Sequence, residues 1–540
     1  MRNHGVTLHL AIKADRHPVP DVPVIYFVEP TEENISRIVS DYKSGMYSVM
    51  HLNFSSSISS TLLQRLGKEM CAIVPAPRCQ ISRVVDRYCS FVSLNQTCFS
   101  LNNQSMYYNL HRSGVSDKEI EASIERVSFG MLSVILTCVK QVPVIRAAAN
   151  GPAAMVAQIL NDKLEEFVNS QSSSSLFSST AAVSADPSHA QRPLLVILDR
   201  DLDLSPLVAH GWSYEALCSD LLGMNLNKLS IPKENKHYDI DPSESFWKKT
   251  AHLPFPDAAT AVNDLVNEFS RLRGEVTSSE SGLTTAVSAL PQVTEMKKNV
   301  DMHTSIATAL LNEVKAREID KYYEIEQDLN LNAFTQLLSS NDPNSNLSDK
   351  VRTAIYLLLR KDNIPVAKID QLSSQLSAAA DPTLVNAVKY IKYLLSLRQV
   401  PTSSTPPSAP GVPQVVLPGM LGDIAGKMKS HGEGLLKNLK NILPVNGNLV
   451  VTNTVQQLAD QVSNPLTDSF VYFDPRNPRS SVRVRGSYRQ VVVCVVGGGC
   501  VVEAENVSTW AQKTNRTVIY GATDFPSPVA FLSDISKLST

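Results

Sequence analysis

The segment VPVIYFVEPTEENISRIVSDYKSGMYSVMHLNF (residues 22–54) reads as one complete β–α–β unit. Val22–Val28 is a β-branched run followed by Glu29 and Pro30. Thr31 then opens a helical stretch with Glu32, Glu33 and Asn34 in its first turn, where acidic groups favour the positive end of a helix. Ile35, Ile38 and Val39 supply an apolar stripe at 3.6-residue spacing. Ser48–Phe54 is the next strand, and Ile58–Glu69 the next helix. Upstream, Val6–Ile12 is a further β-branched run. Such alternation implies a parallel, doubly wound sheet.

The same texture continues with interruptions. Asp117–Lys140 predicts a long helix with Ile120, Ile124, Val127, Met131, Val134, Ile135 and Cys138 on its apolar positions. Val142–Ile145 predicts a strand, Gly151–Val168 a helix, and Pro193–Leu198 a buried strand leading to a helix near Trp212. Between them, the serine-rich stretch 170–192 has no periodic apolar pattern and predicts a surface loop. From about Ala258 to Arg398 the signal turns helical, with Ile306, Leu310, Leu311 and Val314 stacked along Met302–Tyr323. Thr402–Pro418 is proline-rich and cannot be helix or central strand. After it, Leu449–Val451, Val491–Val496 and Thr517–Tyr520 predict strands, with helices near Val507–Gln512 and over Ala530–Leu538. A helical insertion inside the second α/β unit explains this order most simply.

The chain of 540 residues is long enough to bury a sizeable core without disulfide or metal staples. Lys+Arg 50 against Asp+Glu 52 argues against a nucleic-acid binder that relies on overall positive charge. Eight cysteines show no C-x-x-C pair and read as small buried hydrophobes of a reducing compartment. No purely apolar run is long enough to span a bilayer, and Met1-Arg2-Asn3-His4 leads into no signal-peptide stretch. A soluble, cytosolic, multi-domain protein is expected.

Leu194–Asp203 (LLVILDRDLD) is the most enzyme-like feature. A hydrophobic strand ending in D-x-D resembles the nucleophile motif of Mg-dependent, haloacid-dehalogenase-like phosphohydrolases, with Asp199 as nucleophile and Asp201 as acid/base. Leu202-Asp203-Leu204 departs from the residues that motif wants next, and no downstream partner set stands out, so a polar strand-to-loop turn is the preferred reading. Gly497-Gly498-Gly499 follows an apolar strand, but Cys500-Val501-Val502 looks strand-like and the third glycine of a dinucleotide fingerprint is absent. A tight turn with close backbone packing is expected there. No H-E-x-x-H, G-x-S-x-G or P-loop pattern occurs. Within Gly419–Leu443, Leu421, Ile424 and Met428 share one helical face, and Leu435, Leu436 and Leu439 another, among surplus lysines. This suits either a membrane-surface helix or one that packs back on its own domain.

Residues 22–59, RPLLVILDRDLDLSPLVAHGWSYEALCSDLL (192–222), IATALLNEVKAREIDKYYEIEQDL (306–329) and VVVCVVGGGCVVEAENVSTW (491–510) resemble the SM (Sec/Munc) family of syntaxin-binding vesicle-fusion proteins, its ER–Golgi branch above all. The resemblance implies an α/β fold arranged as a three-domain arch, two parallel-sheet α/β domains plus a largely helical domain inserted in the second. Domain 1 would span 1–101, domain 2 the pieces 102–211 and 452–540, and helical domain 3 residues 212–451 with a loop at 400–445. The family carries residues ahead of the position matching Arg2, so domain 1 is expected to lack its first strand here. The 170–192 stretch looks like a lineage-specific insertion.

The resemblance further implies a SNARE-assembly factor that binds a Golgi-type syntaxin (a Qa-SNARE) and other SNAREs in ER–Golgi vesicle docking and fusion. Neither catalysis, cofactor, metal, nucleic acid nor small-molecule substrate is expected. The syntaxin N-terminal peptide would dock on Leu63, Leu66, Ile81, Val84 and Tyr88, beside a small insertion around Ala72–Cys79. A helical hairpin matching Met302–Asp328 would template SNARE helices, with Ile306, Leu310, Val314 and Tyr322 as contacts, although the same stripe reads equally well as core. Asp199-Arg200 would be structural. The loop at 400–445 would bear on peripheral ER/Golgi membrane association or autoinhibition.

Overall fold

The computed structural model describes residues 8–74, 78–169, 192–278, 283–339, 346–360, 382–398, 447–478 and 486–539. Thr31 caps the first helix, its hydroxyl accepting from the Asn34 amide at 3.3 Å, and the helix runs over Glu32–Lys43. It connects β1 (Val24–Val28) to β2 (Val49–Phe54), which pair in parallel. The Ser60–Cys71 helix then leads to β3 (Gln80–Asp86), completing a sheet of order β1-β2-β3. Tyr26, Met50, Leu52 and Phe54 of this sheet share one core with Ile35 and Ile38 of the first helix and Leu66 and Met70 of the second. Residues 8–12 form no strand, so the run expected at Val6–Ile12 is not extended into the sheet over its described part.

The next hairpin, β4 (Val92–Asn95) with β5 (Cys98–Ser100), joins a different sheet. The two sheets therefore part between Asp86 and Val92, ahead of the break expected at residue 101. That second sheet is seven-stranded, with β6 (Val144–Ala147), β7 (Leu194–Asp199), β10 (Val471–Phe473), β11 (Gln490–Val496) and β12 (Thr517–Ala522) in the order β10-β6-β7-β11-β12-β5-β4. Its central strands are parallel and buried on both faces, which accounts for the unbroken apolar runs. β7 and β11 pair in full register, Val491 beside Leu194 through Val496 beside Asp199. Everything between them in the chain returns to the same place.

Among the described residues, the intervening chain is mostly helical and carries one small hairpin, β8 (Lys228–Ile231) with β9 (Lys236–Asp239). Its long helices, Phe255–Ser278 and Leu283–Arg317, pack side by side. The helix expected as continuous over Met302–Tyr323 instead breaks at Glu318, whose φ of 51° is left-handed, and resumes as Ile319–Asp328. The break costs on the order of 1 kcal/mol at a non-glycine residue. It is compensated by the contacts it permits: Tyr323 stacks on Trp212 at 5.4 Å and Tyr322 on His210 at 5.3 Å.

Two further expectations are revised. Leu449–Val451 is the start of a helix, Val450–Asp460, because Val451, Val455 and Leu458 recur at helical spacing and are buried together. Val501 and Val502 likewise open a helix, Val501–Lys513, directly after the glycines. Gly497 has φ of 104°, and a Cβ there would lie 2.8 Å from Arg200 Cβ; one on Gly499 would lie 2.6 Å from the Tyr520 hydroxyl. Close backbone packing fills the space a bound phosphate would need. The helix over 117–139 is long and apolar enough to cross a membrane, yet it is largely buried against Pro152–Asn169 in the core of the large sheet. Of the cysteines, Cys71 and Cys138 are exposed, contrary to the expectation that all are buried.

Arg200, 1% exposed, projects from the end of β7 into the turn after β11. Its guanidinium meets both carboxylate oxygens of buried Glu503 at 2.8 Å and donates to the Gly498 carbonyl at 3.3 Å and to the Asp203 carbonyl. The Tyr520 hydroxyl donates to the same carboxylate at 2.7 Å. Removing one member strands a buried charge. Arg200→Met is therefore expected to lower unfolding free energy by about 3–5 kcal/mol, and Arg200→Met/Glu503→Leu by less than the sum of the single changes, as read from urea denaturation.

Candidate functional site

In the first unit, the Ser60–Cys71 helix and the edge strand β3 leave apolar side chains open to solvent, the notch of this unit. Registered strand partners share a sheet face, so Ile81 beside Met50 and Val84 beside Leu52 lie on the helix-covered side. Being on the edge strand, both remain partly open, at 38% and 42% exposure. Leu63 on the helix is 43% exposed, while Leu66, one turn on, is 3% exposed and belongs to the core beneath. Ile81, Val84 and Leu63 thus offer accessible apolar surface and Leu66 supports it. Tyr88 is drawn elsewhere: it has φ of 49° and packs edge-on against Phe167 of the second unit at 6.0 Å.

The expected template contacts are placed differently. Ile306, Leu310 and Val314 are at most 1% exposed and pack with Trp212, Leu217, Phe255 and Tyr323. Tyr322 is also buried. These side chains hold the long helix to its base and cannot touch a partner without unpacking. The helices that run side by side are Phe255–Ser278 and Leu283–Arg317, and their half-buried outer positions include Leu265, Phe269 and Met296. Leu421, Ile424, Met428, Leu435, Leu436 and Leu439 of the basic amphipathic stretch lie outside the described residues.

The D-x-D turn is occupied by structural bonds. Asp199 accepts from the Ala153 amide at 2.7 Å, at the start of the Pro152–Asn169 helix, and a Cβ on Gly151 would strike its carboxylate. Burial pushes Asp199 up to about 6, with Asp201 adding to the rise and Ala153 and His111 opposing it. Asp201 accepts from the Tyr107 hydroxyl at 2.9 Å and faces His111 Nε2 at 3.0 Å. The two carboxylates are committed to different partners, and no metal-ligating group of three or more such residues occurs among the described residues.

A buried polar network at the base of the helical unit escaped the sequence reading. His210 Nδ1 lies 2.7 Å from Glu326 Oε1 and its Nε2 3.3 Å from Asp349 Oδ1. Arg317 donates twice to Asp349, at 2.9 and 2.6 Å, and Arg352 donates to Asp220 at 2.9 and 2.7 Å and to the Val208 and Ala209 carbonyls. Burial alone would raise Asp349, yet hydrogen bonds from His210 and Arg317 hold its carboxyl well below the ordinary carboxylate range. Burial and Arg352 push the His210 imidazole down, but Glu326 and Asp349 outweigh them, so it titrates above its ordinary value. The only sequence signal is charge within helical stripes that are otherwise apolar, as Asp349 and Arg352 are in VRTAIYLLLR and its approach.

A model of the Sec1 family matches residues 1–534. The chain is 35% identical over 556 residues to the SEC1 family transport protein SLY1 of Arabidopsis thaliana, covering 97% of this chain and 86% of that protein. It is 31% identical over 590 residues to Protein SLY1 of Saccharomyces cerevisiae, covering 99% and 87% respectively. Among solved structures it resembles the crystal structure of Sly1p in complex with an N-terminal peptide of Sed5p, with TM-score 0.79 and 30% identity over 98% of this chain and 86% of that one. The SM protein Vps45 in complex with the Qa SNARE Tlg2 shares the fold, with TM-score 0.76 at 21% identity, covering 100% and 90%.

Because the folded-state value of His210 is raised, its stabilising contribution is complete below the imidazole's ordinary value of about 6.5 and is lost as pH rises through the folded value. His210→Gln should therefore cost more stability at about pH 6 than at about pH 8.5. Thermal unfolding of both proteins across that range checks it; a constant difference would show that the imidazole does not change charge in the fold.

Proposed function

The chain belongs to the Sec1 family, the SM proteins, and from that premise we propose that it binds a syntaxin-type Qa-SNARE and promotes SNARE assembly in ER–Golgi vesicle docking and fusion. The observation that carries this is its 30% identity and TM-score of 0.79, over 98% of the chain, to Sly1p, which was crystallised with an N-terminal peptide of Sed5p. The exposed apolar side chains of Leu63, Ile81 and Val84 over buried Leu66 support a peptide site in the first unit, since an apolar or aromatic anchor would bury them without unpacking the core.

The assembly step needs no bond made or broken. A disordered SNARE segment loses conformational entropy when it becomes helical, and a rigid surface that holds two such segments in register removes part of that cost beforehand. The paired long helices are suited to this role because the buried stripe Ile306, Leu310 and Val314 fixes them to the base. Contacts with SNARE helices then fall on outer positions such as Leu265, Phe269 and Met296. This reading also accounts for Asp199 and Asp201 as parts of a structural turn.

Leu63→Asp and Val84→Asp place a charge in the notch while sparing the core, so each should weaken binding of a Sed5-type N-terminal peptide by about tenfold or more with little change in thermal stability. Isothermal titration with the synthetic peptide measures it; unchanged affinity in both variants would remove the notch from consideration. For the basic stretch 419–443 we propose peripheral membrane contact. Replacing Leu435, Leu436 and Leu439 together by Asp should then abolish flotation with anionic liposomes, and undiminished flotation would argue for docking on the protein instead.

A further inference from the structure

A second recess lies where the helical insertion meets the large sheet, remote from the notch of the first unit. It is a cleft of about 300 Å³ between the Tyr214–Leu221 helix, the Ser245–Thr250 helix, the β4–β5 turn and the Val501–Lys513 helix. Trp247, Val501, Tyr520 and Phe525 give it an apolar and aromatic lining. Two half-buried glutamates enter it from opposite units, Glu215 from the insertion and Glu505 from the sheet domain. Ser213, which caps the Tyr214–Leu221 helix, donates its hydroxyl to Glu505 Oε1 at 2.5 Å. The Glu215 carboxylate has no hydrogen-bond or ion-pair partner among the described residues.

Two carboxylates facing one apolar recess without a counter-cation is an unfavourable arrangement. Burial alone pushes Glu215 up to about 7. Burial, then the charge of Glu215, pushes Glu505 up to about 8 against the Ser213 hydrogen bond. The other titratable groups on the cleft are Cys98 and Tyr520 in its wall and Lys248 and His252, both exposed. The cleft thus holds two carboxyl groups within and the Lys248 ammonium outside.

We propose that this cleft binds an arginine side chain presented by a partner polypeptide, with acidic residues flanking that arginine to meet Lys248. A guanidinium spans two carboxylates with paired hydrogen bonds and tolerates desolvation better than an ammonium. Val501 and Phe525, both half-buried, supply apolar surface for the side-chain stem, backed by the buried rings of Trp247 and Tyr520. The flanking acids distinguish this ligand from a simple basic peptide, which the outer lysine disfavours. Because the cleft is bounded by elements of both the insertion and the sheet domain, an occupant would tie the two together. The site does not depend on the SNARE-binding reading.

The test uses the full chain and a synthetic heptapeptide with one central arginine between acidic ends, against the same peptide with citrulline in place of arginine. At about pH 8.5 the arginine peptide should bind at least about tenfold more tightly than the citrulline peptide. Its affinity should fall at about pH 6, and titration near neutrality in buffers of different ionisation enthalpy should reveal proton release. Glu215→Gln/Glu505→Gln should erase the preference for arginine while leaving thermal stability equal or higher, since it removes two confined carboxylates rather than a packed core. Equal binding of the two peptides, absence of binding by either, or a double variant that keeps the preference would each overturn the proposal. Arginine amide binding as tightly as the peptide would overturn the assignment to a polypeptide.

Discussion

Arg200 and Glu503 stand 303 positions apart in the chain and meet as fully buried opposite charges, one in the turn after β7 and the other in the helix after β11. Each would be intolerable there alone, so the strand that carries Arg200 and the helix that carries Glu503 must arrive together. Gly497 lets the backbone pass Arg200 Cβ, Tyr520 takes up a further lone pair of Glu503, and β7 lies in register with β11 over six residue pairs. With that junction closed, the large sheet is complete although its strands come from both ends of the chain. The helical insertion then leaves and re-enters at fixed points.

A second buried lock holds the insertion's base. His210, shortly after β7, meets Glu326 and Asp349 from helices far along the chain, and Arg352 returns to the Val208 and Ala209 carbonyls. Polar networks of this kind are costly when incomplete, and that cost makes them specific about geometry. Here the consequence is a defined departure for the two long helices. The left-handed turn at Glu318 belongs to the same device, since Arg317 on one side and Tyr322 and Glu326 on the other all converge on the network. The long helices therefore leave from a base that does not yield, and their outer faces are ordered before any partner arrives.

The first unit answers a different need. Its sheet is small, its helices cover one face, and β3 runs along the edge with Ile81 and Val84 partly open. Apolar surface at an edge beside a helix is a ready recess for a short peptide, whereas the central strands of the large sheet are covered on both faces and have none to offer. Open apolar surface thus falls at edges and junctions, and the cleft between Glu215 and Glu505 is a junction of the same sort, with charge added.

The chain's own order of letters determined the types of most elements, the parallel character of the sheets and the family. The family follows from the resemblance of whole segments, the elements from spacing: Ile35 and Ile38 mark a helix face, Val491–Val496 a strand covered on both sides, and Thr31 with two acids a helix start. It also showed that Ile306, Leu310 and Val314 line one stripe, but periodicity reports which face is apolar and not what covers it. Tertiary packing decided that the insertion's own helices cover that stripe, and that Leu63 stays open while Leu66 does not. Val501 and Val502 looked extended because β-branched residues favour strands, and the turn that starts a helix there depends on the space left by Gly499 beside Tyr520 and Ala522. The partners of Arg200 and His210 were equally hidden, for a charge discloses its sign locally and its counter-charge only when distant segments meet.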